Sequence, residues 1–229
     1  MSTILLVHGA YQGGWIWTRV ARELRAAGHL VFAPTLDGCA ERAHALRPGI
    51  TTETHAAELA ALLFHEDLRD VIACGTSTGG MVLARLAELA GERIARMVFA
   101  DALVLQDGES VDSIVSRPTK VNTALTTGPS REDAATRLFA EMDQPTREWT
   151  LARISQHPIA AMEAPVVLPE FWGRSWNADV VWCRRSTNPP VAHLRRLHAV
   201  VGGGWHEIDT GHYPMLTAAP ELADIIADG

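Results

Sequence analysis

Lysine is almost missing from this chain: Lys120 stands alone, and arginine supplies the rest of its 20 basic residues. Against 27 acidic residues the formal net charge is −7, with no basic stripe. Nucleic-acid surfaces need clustered positive charge, so the balance argues against that class of partner. Cysteine is scarce as well. Cys39, Cys74 and Cys183 form no C-x-x-C and no paired framework, and Cys74 and Cys183 lie in apolar, strand-like runs where a thiol is a small buried hydrophobe. No apolar run approaches the length of a membrane span. Residues 3–7 already read as a strand, with no charged leader or cleavage site ahead of them. A protein of the reducing cytoplasm is expected, with no membrane partner. Metal spacings such as H-E-x-x-H are missing, and so is the phosphate-binding G-x-x-x-x-G-K-[ST]. The expectation is therefore no metal and no cofactor.

What is present is ordinary for a soluble globular protein: 47% hydrophobic and 21% charged residues in 229. That length suits one α/β domain over 1–229. Strand-like runs alternate with helical patterns. Strands are expected at Thr3–Val7, Leu30–Ala33, Val71–Cys74, Ile94–Ala100, Val180–Cys183 and Trp205–Ile208. Helices are expected at Trp15–Ala27, Glu53–His65, Thr78–Leu89, about 190–200 and Pro220–Ala227. Near-continuous apolar strands alternating with helices predict a mostly parallel sheet of about six strands, covered on both faces. Functional residues then belong at the carboxyl ends of the strands. Residues 103–176 break the rhythm with polar helical turns (Arg131–Met142, Thr146–Gln156), prolines and scattered large apolar side chains: Phe139, Met142, Trp149, Met162, Phe171, Trp172 and Trp176. An insertion of that kind between two sheet strands is expected to be a lid, with part of its apolar residues simply cementing it to the core.

The most informative segment is Val71-Ile72-Ala73-Cys74-Gly75-Thr76-Ser77-Thr78-Gly79-Gly80, a strand that runs into Gly-x-Ser-x-Gly and then a helix. A sharp strand-to-helix turn crowds its backbone, which explains glycine at 75 and 79 and raises Ser77 to the sheet's carboxyl edge. Serine is a poor nucleophile without an adjacent base. His212 fits that role, because Gly211-His212 follows the last strand at the same edge. Of the other histidines, His206 lies inside a strand, while His55, His65, His193 and His198 fall on helices and are expected to be solvated. The turn after the first strand, His8-Gly9-Ala10, offers the backbone N–H of Ala10 opposite that of Thr78, two donors for a developing oxyanion. His8 itself is expected to brace this loop.

The stretches His8-Gly9-Ala10, Gly14-Trp15, Arg25-Ala26-Ala27-Gly28-His29, Glu41-Arg42-Ala43-His44, Gly75–Gly80 and Gly211-His212-Tyr213-Pro214-Met215 together make the chain similar to the α/β-hydrolase superfamily. It most resembles the branch of plant-type methylesterases, hydroxynitrile lyases and small bacterial esterase-like proteins. The resemblance covers essentially the whole chain and is weakest in the insertion. It implies a cofactor-free hydrolase acting on a small or medium, largely apolar ester, with a small-molecule substrate as partner. Oligomeric state is left open, a homodimer included.

Two departures stand out. Thr76 occupies the place where this branch commonly has histidine. The usual acid after the penultimate strand is also missing: Cys183-Arg184-Arg185-Ser186 stands there. An arginine facing His212 would disfavour an imidazolium, so Arg185 is expected to point away, pair with a carboxylate or bind an acidic substrate group. The replacement acid is Asp101, at the end of the strand after the nucleophile helix, giving the order Ser77, Asp101, His212. Asp179 and Asp209 are weaker choices. Two alternatives remain: a lyase, disfavoured because such enzymes tend to carry threonine at position 9 and lysine at position 213, and a biosynthetic enzyme or ligand-binding protein on the same scaffold.

Overall fold

The computed structural model describes residues 1–117 and 119–228. Six strands, β1 (Thr3–Val7), β2 (Leu30–Phe32), β3 (Val71–Ser77), β4 (Ile94–Ala102), β5 (Ala178–Cys183) and β6 (Trp205–Ile208), form one sheet in the order β2-β1-β3-β4-β5-β6. Every neighbouring pair is parallel. Side chains alternate between the faces of a strand, and here both faces are apolar. Leu5, Val7, Ala73, Met97, Phe99 and Val180 belong to one buried cluster. Ile4, Leu6, Ile72, Cys74, Val98, Ala100 and Val181 belong to the other.

Helices cover both clusters. α2 (Thr52–His65), α3 (Gly79–Ala90) and α5 (Val191–Val201) pack on the first face through Leu59, Leu83, Leu86, Leu194 and Leu197. α1 (Thr18–Ala26) and α6 (Ala219–Ala227) pack on the second through Val20, Leu24, Leu222 and Ile226. Fully burying an aliphatic side chain of this size contributes about 1.5–3 kcal/mol. Both layers are therefore substantial, which is why the strands read as continuous apolar runs. The helix expected from Trp15 opens instead as a 3₁₀ turn over Gly14–Trp17, and the regular α-helix starts at Thr18.

The chain leaves β1 towards β2 and returns on the other side as β3. The connections that leave the carboxyl ends of β1 and β3 thus diverge and open a crevice, the usual place for a ligand in a sheet of this kind. Between β4 and β5 lies the insertion. It holds α4 (Gln144–Leu151), several short helical turns and a two-residue antiparallel pairing of Thr126–Thr127 with His157–Pro158. The helical pattern read over Arg131–Met142 resolves into a short turn at Arg131–Asp133 and a π-helical turn at Ala134–Leu138. Phe139, Met142, Met162 and Phe171 are buried in the two clusters, and Trp149, Trp172 and Trp176 pack against them. Most of these side chains therefore fasten the insertion down; Met162 and Met142 also reach cavity walls. Among the described residues no helix is long and apolar enough to cross a membrane.

Candidate active site

Ser77 ends β3 with φ of +50°, in the left-handed region that non-glycine residues rarely adopt. Close packing enforces that bend. A Cβ on Gly75 would meet the Gly79 oxygen at 2.8 Å, and one on Gly79 would meet the Val7 and His8 oxygens at 2.7 Å. The elbow is also tied to the next strand, because Leu103 N–H donates to the Ser77 carbonyl at 2.8 Å. Thr78 is the N-cap of α3, so the helix begins directly behind the serine.

Asp101 sits near the end of β4, fully buried and also at positive φ, +47°. A buried carboxylate needs donors, and two serve it. His212 Nδ1–H donates to Oδ2 at 2.6 Å, and the Cys183 backbone N–H donates to Oδ1 at 3.4 Å. The end of β5, where no acid stands, thus still contributes a hydrogen bond to the acid on β4. The β6 loop is held against it as well: Arg184 N–H donates to Ile208 O at 2.9 Å and Arg185 N–H to Thr210 O at 3.0 Å. With Nδ1 donating to Asp101, the imidazole keeps Nε2 free to accept a proton. Arg185 turns to Asp209 O at 2.7 Å and lies 3.7 Å from the Glu141 carboxylate and 3.8 Å from that of Asp209. Asp179 is at the other end of its strand, where it pairs with Arg96 and accepts from Gly204 N–H.

Ser77, Thr78, Ala10 and His212 line one cavity of about 590 Å³. The backbone N–H groups of Ala10 and Thr78 make no hydrogen bond among the described residues. Its walls include Leu103, Val111, Val115, Leu138 and Met162. A wider cleft of about 970 Å³ adjoins it and shares His212, Tyr213, Arg137 and Asn188 with it. The chain's two tyrosines, Tyr11 and Tyr213, both line the cavity, as do Arg117 and Arg137. Of these four the sequence marks Tyr213 alone, as the position where a lyase would carry lysine. Tyr11 has one retrospective signal, its place in the turn that carries Ala10; the arginines lie in an insertion without periodicity.

His8 is buried, with Nδ1–H donating to Gly9 O at 2.8 Å and Nε2 accepting from Leu36 N–H at 3.0 Å. It clamps the Ala10 loop to the segment after β2. The expectation that His55 and His193 are solvated is corrected: both are buried, on inner faces of α2 and α5. Each satisfies a backbone group of a loop at the carboxyl edge, His55 that of Asp37 and His193 that of Val104. The helical period places them inward, and the loops supply polar partners that make burial tolerable.

Burial lowers His8 from its ordinary 6.5 to about 4, and burial together with the Arg196 charge does the same to His193. The unfolded chain therefore takes up these protons before the folded one does. Their stabilising contribution is complete above pH 6.5 and is lost as pH falls towards 4. Thermal unfolding midpoints measured across that window should drop, with a shallower drop in His193→Gln. A profile that is flat from 6.5 to 4 would contradict neutral burial of the two rings.

A family model described as the alpha/beta hydrolase family matches residues 4–225. A carbendazim hydrolyzing esterase of Nocardioides sp. (strain SG-4G) is 33% identical over 243 residues, covering 99% of this chain and 99% of its own. Among solved structures, an extracellular alpha/beta-hydrolase from Paenibacillus species superposes with a TM-score of 0.83 at 19% identity, over 100% of this chain and 98% of that one. Polyneuridine aldehyde esterase gives 0.79 at 20% identity, over 100% and 98%. At such identities the structural likeness concerns the fold. The family match and the end-to-end relative carry more: the chain belongs to the α/β hydrolase family.

Proposed function

We propose that this enzyme, an ester hydrolase, works through an acyl-enzyme on Ser77. The observation that carries the reading is the 2.6 Å contact between Asp101 and His212 Nδ1, on a histidine that shares its cavity with Ser77. Ser77 Oγ attacks the ester carbonyl as its proton passes to His212 Nε2. Asp101 holds the ring in the required tautomer and stabilises the imidazolium. The N–H groups of Ala10 and Thr78 receive the oxyanion, with the start of α3 adding its positive end. His212 then protonates the departing alkoxide, and water, deprotonated by the same nitrogen, releases the acid. Ser77 and His212 form no direct hydrogen bond among the described residues; such contacts tighten when substrate is engaged.

The substrate is a small or medium ester, held in a cavity with aliphatic walls and covered by the insertion acting as a lid. The full-length similarity to a carbendazim hydrolyzing esterase makes carbendazim a sensible member of the first substrate panel. The lyase alternative loses support at position 9. A Cβ there would lie 2.7 Å from Ser77 Cβ and 3.1 Å from Thr76 O, so this backbone has no room for threonine.

Acid quenching during turnover, followed by peptide mass measurement, should find the acyl group on Ser77. Full turnover with no acyl adduct under any quench would refute the covalent route. Gly9→Ala should leave the protein folded while lowering kcat by about 10²-fold, the scale of a nucleophile displaced by roughly an ångström. Unchanged kinetics in that variant would show that the serine does not depend on this contact.

A further inference from the structure

The cavity around Ser77 carries charge of one sign. Besides the tyrosines, its ionisable lining residues are Arg117, Arg137 and His212, with no carboxylate among them. Arg137 is already engaged: its Nε and Nη2 donate to the two Asp133 oxygens at 2.9 and 2.8 Å, a bidentate pair of zero net charge. Arg117 differs. Its Nε donates to Asp112 Oδ1 at 2.5 Å, while Lys120 takes the other oxygen of the same carboxylate. One carboxylate between two cations leaves one positive charge on this cluster, of which Arg117 lines the cavity.

The burial of that pair is uneven. The Arg117 side chain is 8% exposed and that of Asp112 is 42% exposed, so the carboxylate is hydrated and much of the guanidinium is not. Arg117 Nη1 is buried with no hydrogen-bond partner among the described residues. Burial works against the charge, but Asp112 and the Tyr11 hydroxyl outweigh it and keep the guanidinium protonated.

We infer that Arg117 recognises a carboxylate carried by the ester substrate, so that the enzyme prefers hemiesters of dicarboxylic acids to wholly apolar esters. This rests on the reading of Ser77 as nucleophile. A carboxylate supplies a charge to balance Arg117; a neutral carbonyl does not. The side chains of Leu103, Val111, Val115, Leu138 and Met162 in the same cavity suit the methylenes between the two ends of such a molecule.

The test compares monomethyl succinate, glutarate and adipate with methyl butyrate, pentanoate and hexanoate, by methanol release. For at least one chain length, wild-type kcat/KM should favour the hemiester by about 10- to 100-fold, the worth of a charge-assisted hydrogen bond. The preference should lie in KM, shrink with added salt, and collapse in Arg117→Gln, with Arg117→Lys intermediate. If Arg117→Gln does not fold, competitive inhibition of wild-type methyl pentanoate hydrolysis by glutarate decides, and no inhibition overturns the inference. So does a neutral preference at every chain length, or a hemiester preference that survives Arg117→Gln. Calorimetry of monomethyl glutarate on Ser77→Ala separates the two readings. Binding lost in Ser77→Ala/Arg117→Gln, with no turnover by wild type, keeps the anion site and sinks the nucleophile. No binding to Ser77→Ala sinks the anion site, whatever the turnover.

Discussion

Ser77→Ala is expected to lower kcat for any ester the enzyme accepts by about 10⁶-fold, the scale on which a nucleophile acting with its base is lost, while the fold survives. Only Oγ is removed, and alanine meets the same backbone demand at φ +50°. The residual rate over water should come from the Ala10 and Thr78 donors and from binding. Steady-state kinetics with a circular dichroism control tests this. A variant within about 10-fold of wild type would leave Ser77 a packing turn and nothing more.

Asp101→Asn should lower kcat by about 10⁴-fold. Asparagine tolerates the left-handed region as aspartate does, so the β4 terminus at φ +47° should keep its shape. The electrostatics change instead. A carboxamide facing His212 Nδ1 can present N–H, which drives the imidazole proton to Nε2 and removes the base from Ser77. The carboxamide oxygen can still accept from Cys183 N–H, so the loss should appear in kcat far more than in thermal stability. Ser77→Ala/Asp101→Asn should be no slower than Ser77→Ala alone, since the residues act as a unit. A loss below about 10-fold in Asp101→Asn would mean that the 2.6 Å contact is structural.

The fold is legible in the sequence where both strand faces are buried. Thr3–Val7 coincides with β1 because apolar side chains fill both layers and His8-Gly9 ends the run. The expected end of β3 at Cys74 falls three residues short, since Gly75, Thr76 and Ser77 have little strand character of their own. Pairing carries them: Gly75 sits opposite Val7 and Phe99, and Thr76 opposite Ala100. The pairing shifts register between Thr76 and Ser77, where the chain turns into the elbow. The insertion is legible only as an insertion. Its helical turns are short, and its apolar residues fasten it to two different clusters without a common period.

Candidate site residues at strand ends are legible for a geometric reason: parallel strands deliver Ala10, Ser77, Asp101 and His212 to one edge. Asp101 could be named because β4 neighbours β3. The Cys183 N–H that serves it could not, since backbone donors leave no mark in a sequence. Arg117 was equally hidden. Its meaning depends on sharing Asp112 with Lys120 and on a burial that no local pattern encodes. His55 and His193 misled for the opposite reason, since a histidine on a helix reads as solvated until the loop that needs it is in place.

The proposed mechanism requires an imidazole, fixed by Asp101, to activate a serine held at a strained bend. Labelling with an organophosphonate tests this without knowledge of the substrate. Wild type should gain one adduct per chain, mapped by mass to the peptide carrying Ser77, and Asp101→Asn should label slower by orders of magnitude. A folded wild-type protein that stays unlabelled, or an adduct on any other residue, would contradict it.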